Sequence, residues 1–150
     1  MNYIERSVLI DCPVKKAFEF HSDTNNLLKI TPDFIKVDIL KIDLPIKKDS
    51  IIILSIRQFG ILKTKWRIRI SDFDPYSLIT DTQEEGPFSN WIHSHCFEDI
   101  EGKTLMTDKI RYELPFGILG KAANSILIKN IIEKQFIFRH KATKEFLEKS

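Results

Sequence analysis

Apolar and polar side chains alternate through residues 3–10, with Ile4, Val8 and Ile10 on one face, and a period of two predicts a strand. Asp11-Cys12-Pro13 follows, and a capping side chain before proline at the first helical position marks a helix start. Val14, Ala17, Phe18 and His21 recur at helical spacing, so this helix is expected to run to about His21. Ser22-Asp23 offers a second cap, and Leu27, Leu28 and Ile30 belong to a second short helix. Pro32 ends it, because the residue before proline disfavours helix.

From residue 34 the period is again two. Segments 34–42, 50–58, 61–72, 77–83, 88–99 and 103–112 read as strands. Turn signals separate them at Leu44-Pro45, Gly60, Asp74-Pro75, Gly86-Pro87 and Glu101-Gly102. Consecutive strands with short turns make an antiparallel meander. After Pro115-Phe116-Gly117 the pattern becomes helical. Leu119, Ala122, Ala123, Ile126, Leu127, Ile131, Phe136, Arg139, Thr143, Phe146 and Leu147 are expected along one side of a helix over about 118–148. At 1.5 Å per residue that helix is roughly 45 Å long, and so long an apolar stripe needs a broad surface to lie on. The predicted class is α+β: a curved antiparallel sheet of about seven strands wrapped around one long C-terminal helix, with two short helices after the first strand.

The 150 residues fit one domain, expected to span 1–150, with a core large enough to need no disulfide or structural metal. Apolar residues at 43% and charged residues at 29% argue against disorder. The net charge of +2 is dispersed, so no nucleic-acid partner is expected. Cys12 and Cys96 form neither a metal-like spacing nor a secretory framework, which favours reduced thiols. No signal stretch opens the chain, and no apolar run approaches the roughly 18–20 residues of a membrane span. The expected setting is cytoplasmic.

The order of strand, two short helices, six strands and one long helix is that of the helix-grip fold. The opening "IERSVLIDCPVKKAFEF", followed by "HSDTNNLLKITP", resembles the ligand-binding SRPBCC proteins, the START and polyketide-cyclase superfamily. The stretch "GPFSNWIHSHCFEDIEGKTLMTDKIRYELPFGILG" is similar to a bacterial SRPBCC subgroup that carries GPF, then W-x-H-x-H-x-F, then T-x-x-x-D-x-x-x-Y-x-x-P-x-G. "FIFRHKATKEFL" matches that subgroup's last turns. The resemblance implies an internal cavity for a small hydrophobic or amphipathic molecule, such as a lipid, isoprenoid or polyketide. In some relatives it implies cyclase or dehydratase activity, and in others a protein-interaction role.

Strand alternation identifies the residues expected to face that cavity. Trp91, His93, His95 and Phe97 share one face of 88–99, against Ile92, Ser94, Cys96 and Glu98. Thr104, Met106, Asp108, Ile110 and Tyr112 share a face of 103–112. Both bulky sets are assigned to the concave side, together with Phe88, with Trp66, Ile68 and Ile70 of strand 61–72, and with Phe136 and Arg139 of the long helix. A two-residue loop at Glu101-Gly102 puts His95 opposite Asp108; a loop from Asp99 to Gly102 puts His93 there instead. Either register makes a histidine the cross-strand neighbour of Asp108. Arg139 needs a partner if buried. Asp108 is the natural one, with His140 and the surface as alternatives.

Several chemistries fit this set. His93 and His95 can pack and hydrogen-bond, contact a ligand, or act with Asp108 as acid–base groups. They could also share a metal with Asp108 as third ligand, although a site needs defined geometry; no metal or cofactor is expected. Gly-rich phosphate loops, G-x-S-x-G and C-x-x-C are absent from the sequence. Cys96 falls on the convex face, and Lys41 to Lys48 reads as a solvated strand end and loop. A dry void of roughly 300 Å3 would cost about 7 kcal/mol, comparable to a domain's whole stability, so inward polar groups are expected to hold water or orient a ligand. For a protein-interaction role, Phe59, Phe73 and Ile79 are candidate contributors to an exposed apolar patch.

Overall fold

The alternating N-terminal segment forms β1 (Asn2–Ile10), an edge strand of a single seven-stranded antiparallel sheet. The computed structural model describes residues 1–58, 62–115 and 121–150. After β1 come α1 (Val14–Ser22), a 3-10 helix (Thr24–Ile30), β2 (Lys36–Lys41), β3 (Ile51–Gln58), β4 (Leu62–Asp74), β5 (Leu78–Glu85), β6 (Asn90–Ile100), β7 (Lys103–Glu113) and α2 (Lys121–Lys149). The sheet order is β1-β7-β6-β5-β4-β3-β2: the meander from β2 to β7 is laid out in sequence and β1 closes against β7. The Gly60 and Phe116-Gly117 turn signals and Leu119 lie outside the described residues. Among those described, no helix is long and apolar enough to cross a membrane.

The β6–β7 hairpin sets the geometry that matters most. Glu101 and Gly102 adopt φ of 53° and 85°, the paired positive values of a two-residue type I′ turn, which Gly102 accommodates without a Cβ. This turn selects the register with His95 opposite Asp108 and His93 opposite Ile110. Trp91, His93 and Phe97 are buried on the inner face, as are Thr104, Met106, Asp108, Ile110 and Tyr112. Arg6 lies in register with Asp108 on β1.

Two local expectations are corrected. Asp11 does not cap α1: Pro13 itself is the N-cap, its carbonyl accepting from the amides of Lys16 and Ala17. The Asp11 amide instead donates to Glu148 Oε1 at 2.9 Å, tying this corner to the end of α2. The inward stripe of α2 keeps Phe136, Thr143 and Leu147 of the predicted set but not its other flank. Ile132, Phe136, His140, Thr143 and Leu147 are buried, whereas Ile126 and Leu127 are 63% and 57% exposed and Phe146 is also exposed. At 3.6 residues per turn Leu127 lies about 180° around the helix from Phe136, so both cannot face the sheet. Lys16 Nζ secures the helix C-terminus on the carbonyls of Leu147 (2.8 Å) and Ser150 (2.6 Å), where a cation opposes the helix dipole.

This packing separates core from surface on one helix. Ile132→Ala should lower the unfolding free energy by about 2–5 kcal/mol, while Leu127→Ala should change it by less than about 0.5 kcal/mol. Urea titration of the two variants checks this.

Candidate functional site

Asp108, in the middle of β7, is only 2% exposed. Its Oδ1 accepts from His93 Nε2 at 2.8 Å, and its Oδ2 is bonded to His140 Nε2 of α2 at 2.5 Å. His95 Nδ1 lies 2.8 Å from the same Oδ1 but is out of line for a hydrogen bond, so that contact is an ion pair. A carboxylate this deeply buried is tolerable only when charge and hydrogen bonds compensate it.

The β5–β6 ladder brings a second carboxylate to the other side of the two rings. Asp81 is in register with His93, and its Oδ2 stands 3.5 Å from both His93 Nδ1 and His95 Nε2. The His93 and His95 rings lie 4.0 Å apart between centroids, a consequence of i, i+2 spacing on a strand. His21, from the last turn of α1, lies over His95 at 5.2 Å. All four histidines of the chain, from α1, β6 and α2, therefore meet at one place.

The charges pull these groups apart. Burial pushes the His95 pKa down, but the carboxylates of Asp108 and Asp81 outweigh it and raise it to about 9. Burial, reinforced by the charge on His95, lowers His93 below the usual imidazole range. The same two causes take His21 to about 3. Burial alone would raise Asp108, yet His95 and the bonds from His140 and His93 hold it well below the usual carboxylate range. Burial likewise opposes, and His93 and His95 overcome, for Asp81, which is also lowered. Burial lowers Arg139, with Asp108 and Asp81 acting against the shift.

Between the sheet and α2 lies a cavity of about 140 Å3. That is smaller than the roughly 300 Å3 of a drug-sized site. Trp66, Phe88, Trp91, Met106 and Phe136 line it, with His93, His95, Asp108 and Arg139. Phe88, just ahead of β6, packs against Trp66, Trp91 and Tyr112 at 4.8–5.7 Å and fills one end. Phe97, Ile110 and Tyr112 are buried but are not in the cavity wall. Arg139 makes no ion pair with Asp108; its guanidinium lies 5.1 Å over the Phe136 ring, and His140, four residues after Phe136 on the inward stripe, takes the carboxylate. Ile79 is buried in the wall rather than on a surface patch, Phe73 packs on Phe18, and Phe59 lies outside the described residues. Ile46, within the segment read as solvated, is buried and also reaches the wall.

Asp81, His21 and Thr143 are site residues that the sequence reading did not single out. Asp81 follows Ile79 at period two, so alternation puts the two on one face, and the burial of Ile79 shows that this face is the inner one. His21 and Thr143 stood in the predicted apolar stripes of their helices without being read as polar site groups.

The sequence matches the family described as polyketide cyclase / dehydrase and lipid transport over residues 10–137. A search among curated proteins returns no match. Among solved structures, the Zhui aromatase/cyclase from Streptomyces sp. R1128 is 18% identical with a TM-score of 0.74, covering 98% of this chain and 93% of that one. A START superfamily protein from Mycobacterium smegmatis is 14% identical with a TM-score of 0.75, over 98% and 97% of the two chains. The nucleoside-diphosphate sugar epimerase from Corynebacterium glutamicum is 25% identical with a TM-score of 0.69, over 97% of this chain and 29% of that one.

The cluster carries a pH signature set by the groups around His95: His21 on α1, Asp81 on β5, His93 on β6, Asp108 on β7, Arg139 and His140 on α2, and Arg6 beyond Asp108 on β1. The folded chain keeps a proton on His95 that the unfolded chain releases above about pH 6.5. That contribution, about 3 kcal/mol, is complete below pH 6.5 and disappears as pH rises through about 9. His21 and His93 act oppositely: the unfolded chain takes up their protons as pH falls below about 6.5, which costs stability. Stability in buffer containing EDTA should therefore peak near pH 6.5 and fall on both sides. Urea unfolding from pH 5 to 9.5 measures it, and a flat profile counts against the charge assignment.

Proposed function

Because the chain belongs to the polyketide cyclase / dehydrase and lipid transport family, we propose that it binds a small, mainly apolar molecule with an oxygen-bearing polar end in the cavity between sheet and α2. The observation that carries this reading is the asymmetry of the wall. Ile52, Leu54, Ile68 and Ile70 give one side an apolar lining, while Asp81, Asp108, Arg139 and the four histidines gather at the other. Trp66 Nε1 and Arg139 Nε are buried in the wall without a partner among the described residues. Both are donors only, and an unpartnered buried donor costs about 1–3 kcal/mol, so an occupant with acceptor oxygens relieves that cost. The volume limits the apolar body to about one ring, since a cavity of about 150 Å3 holds a molecule of benzene size.

A second reading is acid–base catalysis on such a molecule. It is favoured by His93 and His95 standing side by side, with Asp108 behind them and the cavity in front, their proton affinities shifted in opposite directions. Arg139 would then steady a developing enolate oxygen.

Thermal melts with single-ring phenols, aromatic ketones and small terpenoid alcohols and acids test the first reading. A compound at a hundred times its Kd should raise the melting temperature by about 5 °C or more. Ile68→Phe, which fills the cavity from β4, should abolish the shift. A panel without any shift sinks the reading. If the second reading holds, His93→Gln and His95→Gln should each slow turnover of a β-keto substrate by about 10²–10⁴-fold while ligand-induced stabilisation persists.

A further inference from the structure

We propose that Asp81, His93 and His95 form a binding site for one divalent transition-metal ion of the zinc type, with its open coordination positions facing the cavity. The site is distinct from the apolar-ligand reading and does not depend on it. Its ligand atoms are Asp81 Oδ2, His93 Nδ1 and His95 Nε2, which lie within 4.8 Å of one another. Asp108, which the sequence allowed as a third ligand, stands on the far side of both rings.

Spacing is the first argument. Asp81 Oδ2 is 3.5 Å from each imidazole nitrogen, too long for the 2.7–3.2 Å of an N–H···O bond. An ion with bonds of about 2.0–2.1 Å in tetrahedral geometry holds its ligands roughly 3.3–3.4 Å apart. The two contacts of Asp81 thus stand near the separation of metal ligands, and the two histidine nitrogens lie within 4.8 Å of each other.

The second argument is independent and concerns the proton on His93. Its Nε2 is 2.8 Å from Asp108 Oδ1, and an ionised carboxylate only accepts, so Nε2 carries the hydrogen. In the neutral ring Nδ1 then presents a lone pair to Asp81 Oδ2. Two acceptors facing each other in a buried site repel unless a cation lies between them. The His95 ring has the same orientation, with Nδ1 on the Asp108 side and Nε2 on the Asp81 side.

The surroundings match a metal site in two further respects. Metal-binding histidines commonly present their other nitrogen to a carboxylate, which fixes ring orientation and raises basicity. Asp108 stands in that position for both rings and is itself fixed by His140. Three protein ligands with a free position toward a cavity form the open type of site, in which water or a ligand oxygen completes the coordination. With both histidines neutral, Asp81 and Asp108 outweigh Arg139 by one negative charge. A dication reverses that sign and favours an oxygen donor on whatever enters. Ligation requires each imidazole to be free of a proton at its ligating nitrogen.

The experiment uses the full chain, stripped with chelator and then titrated with Co2+ and Zn2+. We expect one Co2+ per chain with the visible d–d bands of a low-symmetry N/O site, and Zn2+ binding by calorimetry that displaces it. Asp81→Asn and His93→Gln should each weaken Zn2+ binding by more than about 100-fold, and Asp108→Asn by about 10–100-fold, each variant being checked for folding by circular dichroism. X-ray absorption of the Zn2+-loaded wild type needs no variant; it should show N/O neighbours at about 2.0–2.1 Å with imidazole scattering. Absence of binding to the folded wild type, unchanged affinity in Asp81→Asn, or sulfur in the coordination shell would overturn the site. The ligand melts above, run in EDTA, succeed or fail separately.

Discussion

One ionised carboxylate, held out of water on the inner face of β7, organises the interior. Asp108 is reached by His93 and His95 from β6 and by His140 from α2, so its compensation comes from two elements far apart in sequence. Removing an ion from water costs several kcal/mol. The network must therefore close around Asp108, and its closing partner sits on the helix. Most of the remaining grip between α2 and the concave face is apolar packing, which tolerates sliding and rotation. The His140 contact does not. It selects the helical face that turns inward and explains why Arg139, one residue earlier, lies over Phe136 instead.

The cavity follows from the same arrangement. α2 crosses a curved sheet, and the aromatic rings of Trp66, Phe88 and Trp91 fill one end of the space beneath it. A volume of about 140 Å3 remains. Dry and empty, it would cost about 3 kcal/mol, a sizeable part of a domain's stability. Its polar end can hold water, which makes the vacant state affordable and leaves exchangeable occupants for a ligand to displace.

The two histidines of β6 sit between two carboxylates, Asp108 behind and Asp81 in front. This sandwich underlies each role considered for them. Asp108 orients the rings, and the positions facing Asp81 and the cavity hold a proton, a metal ion or a ligand oxygen. The asymmetry between the carboxylates is geometric: Asp108 lies 2.8 Å from His93, while Asp81 stands 3.5 Å from both rings.

Much of this was legible in the sequence because it depends on local rules. The alternation in 103–112 fixed the inward set Thr104, Met106, Asp108, Ile110 and Tyr112, and the turn residues Glu101-Gly102 left only two registers, both placing a histidine beside Asp108. What the sequence left open were quantities that depend on packing between distant elements. Several helical faces were compatible with the scattered apolar residues of 118–148, and contact with the sheet chose the one carrying His140 and exposing Leu127. Alternation put Asp81 on the face of Ile79 without saying which face that was, and only the β5–β6 ladder sets it against His93. Side-chain volume across the cavity, which no single strand reports, decided its size. The sequence by itself determined the sheet, the helix and the central acid, since these follow from periodicity and turn chemistry; the tertiary structure decided the acid's partners and the room around them, because burial is a property of the assembled layers.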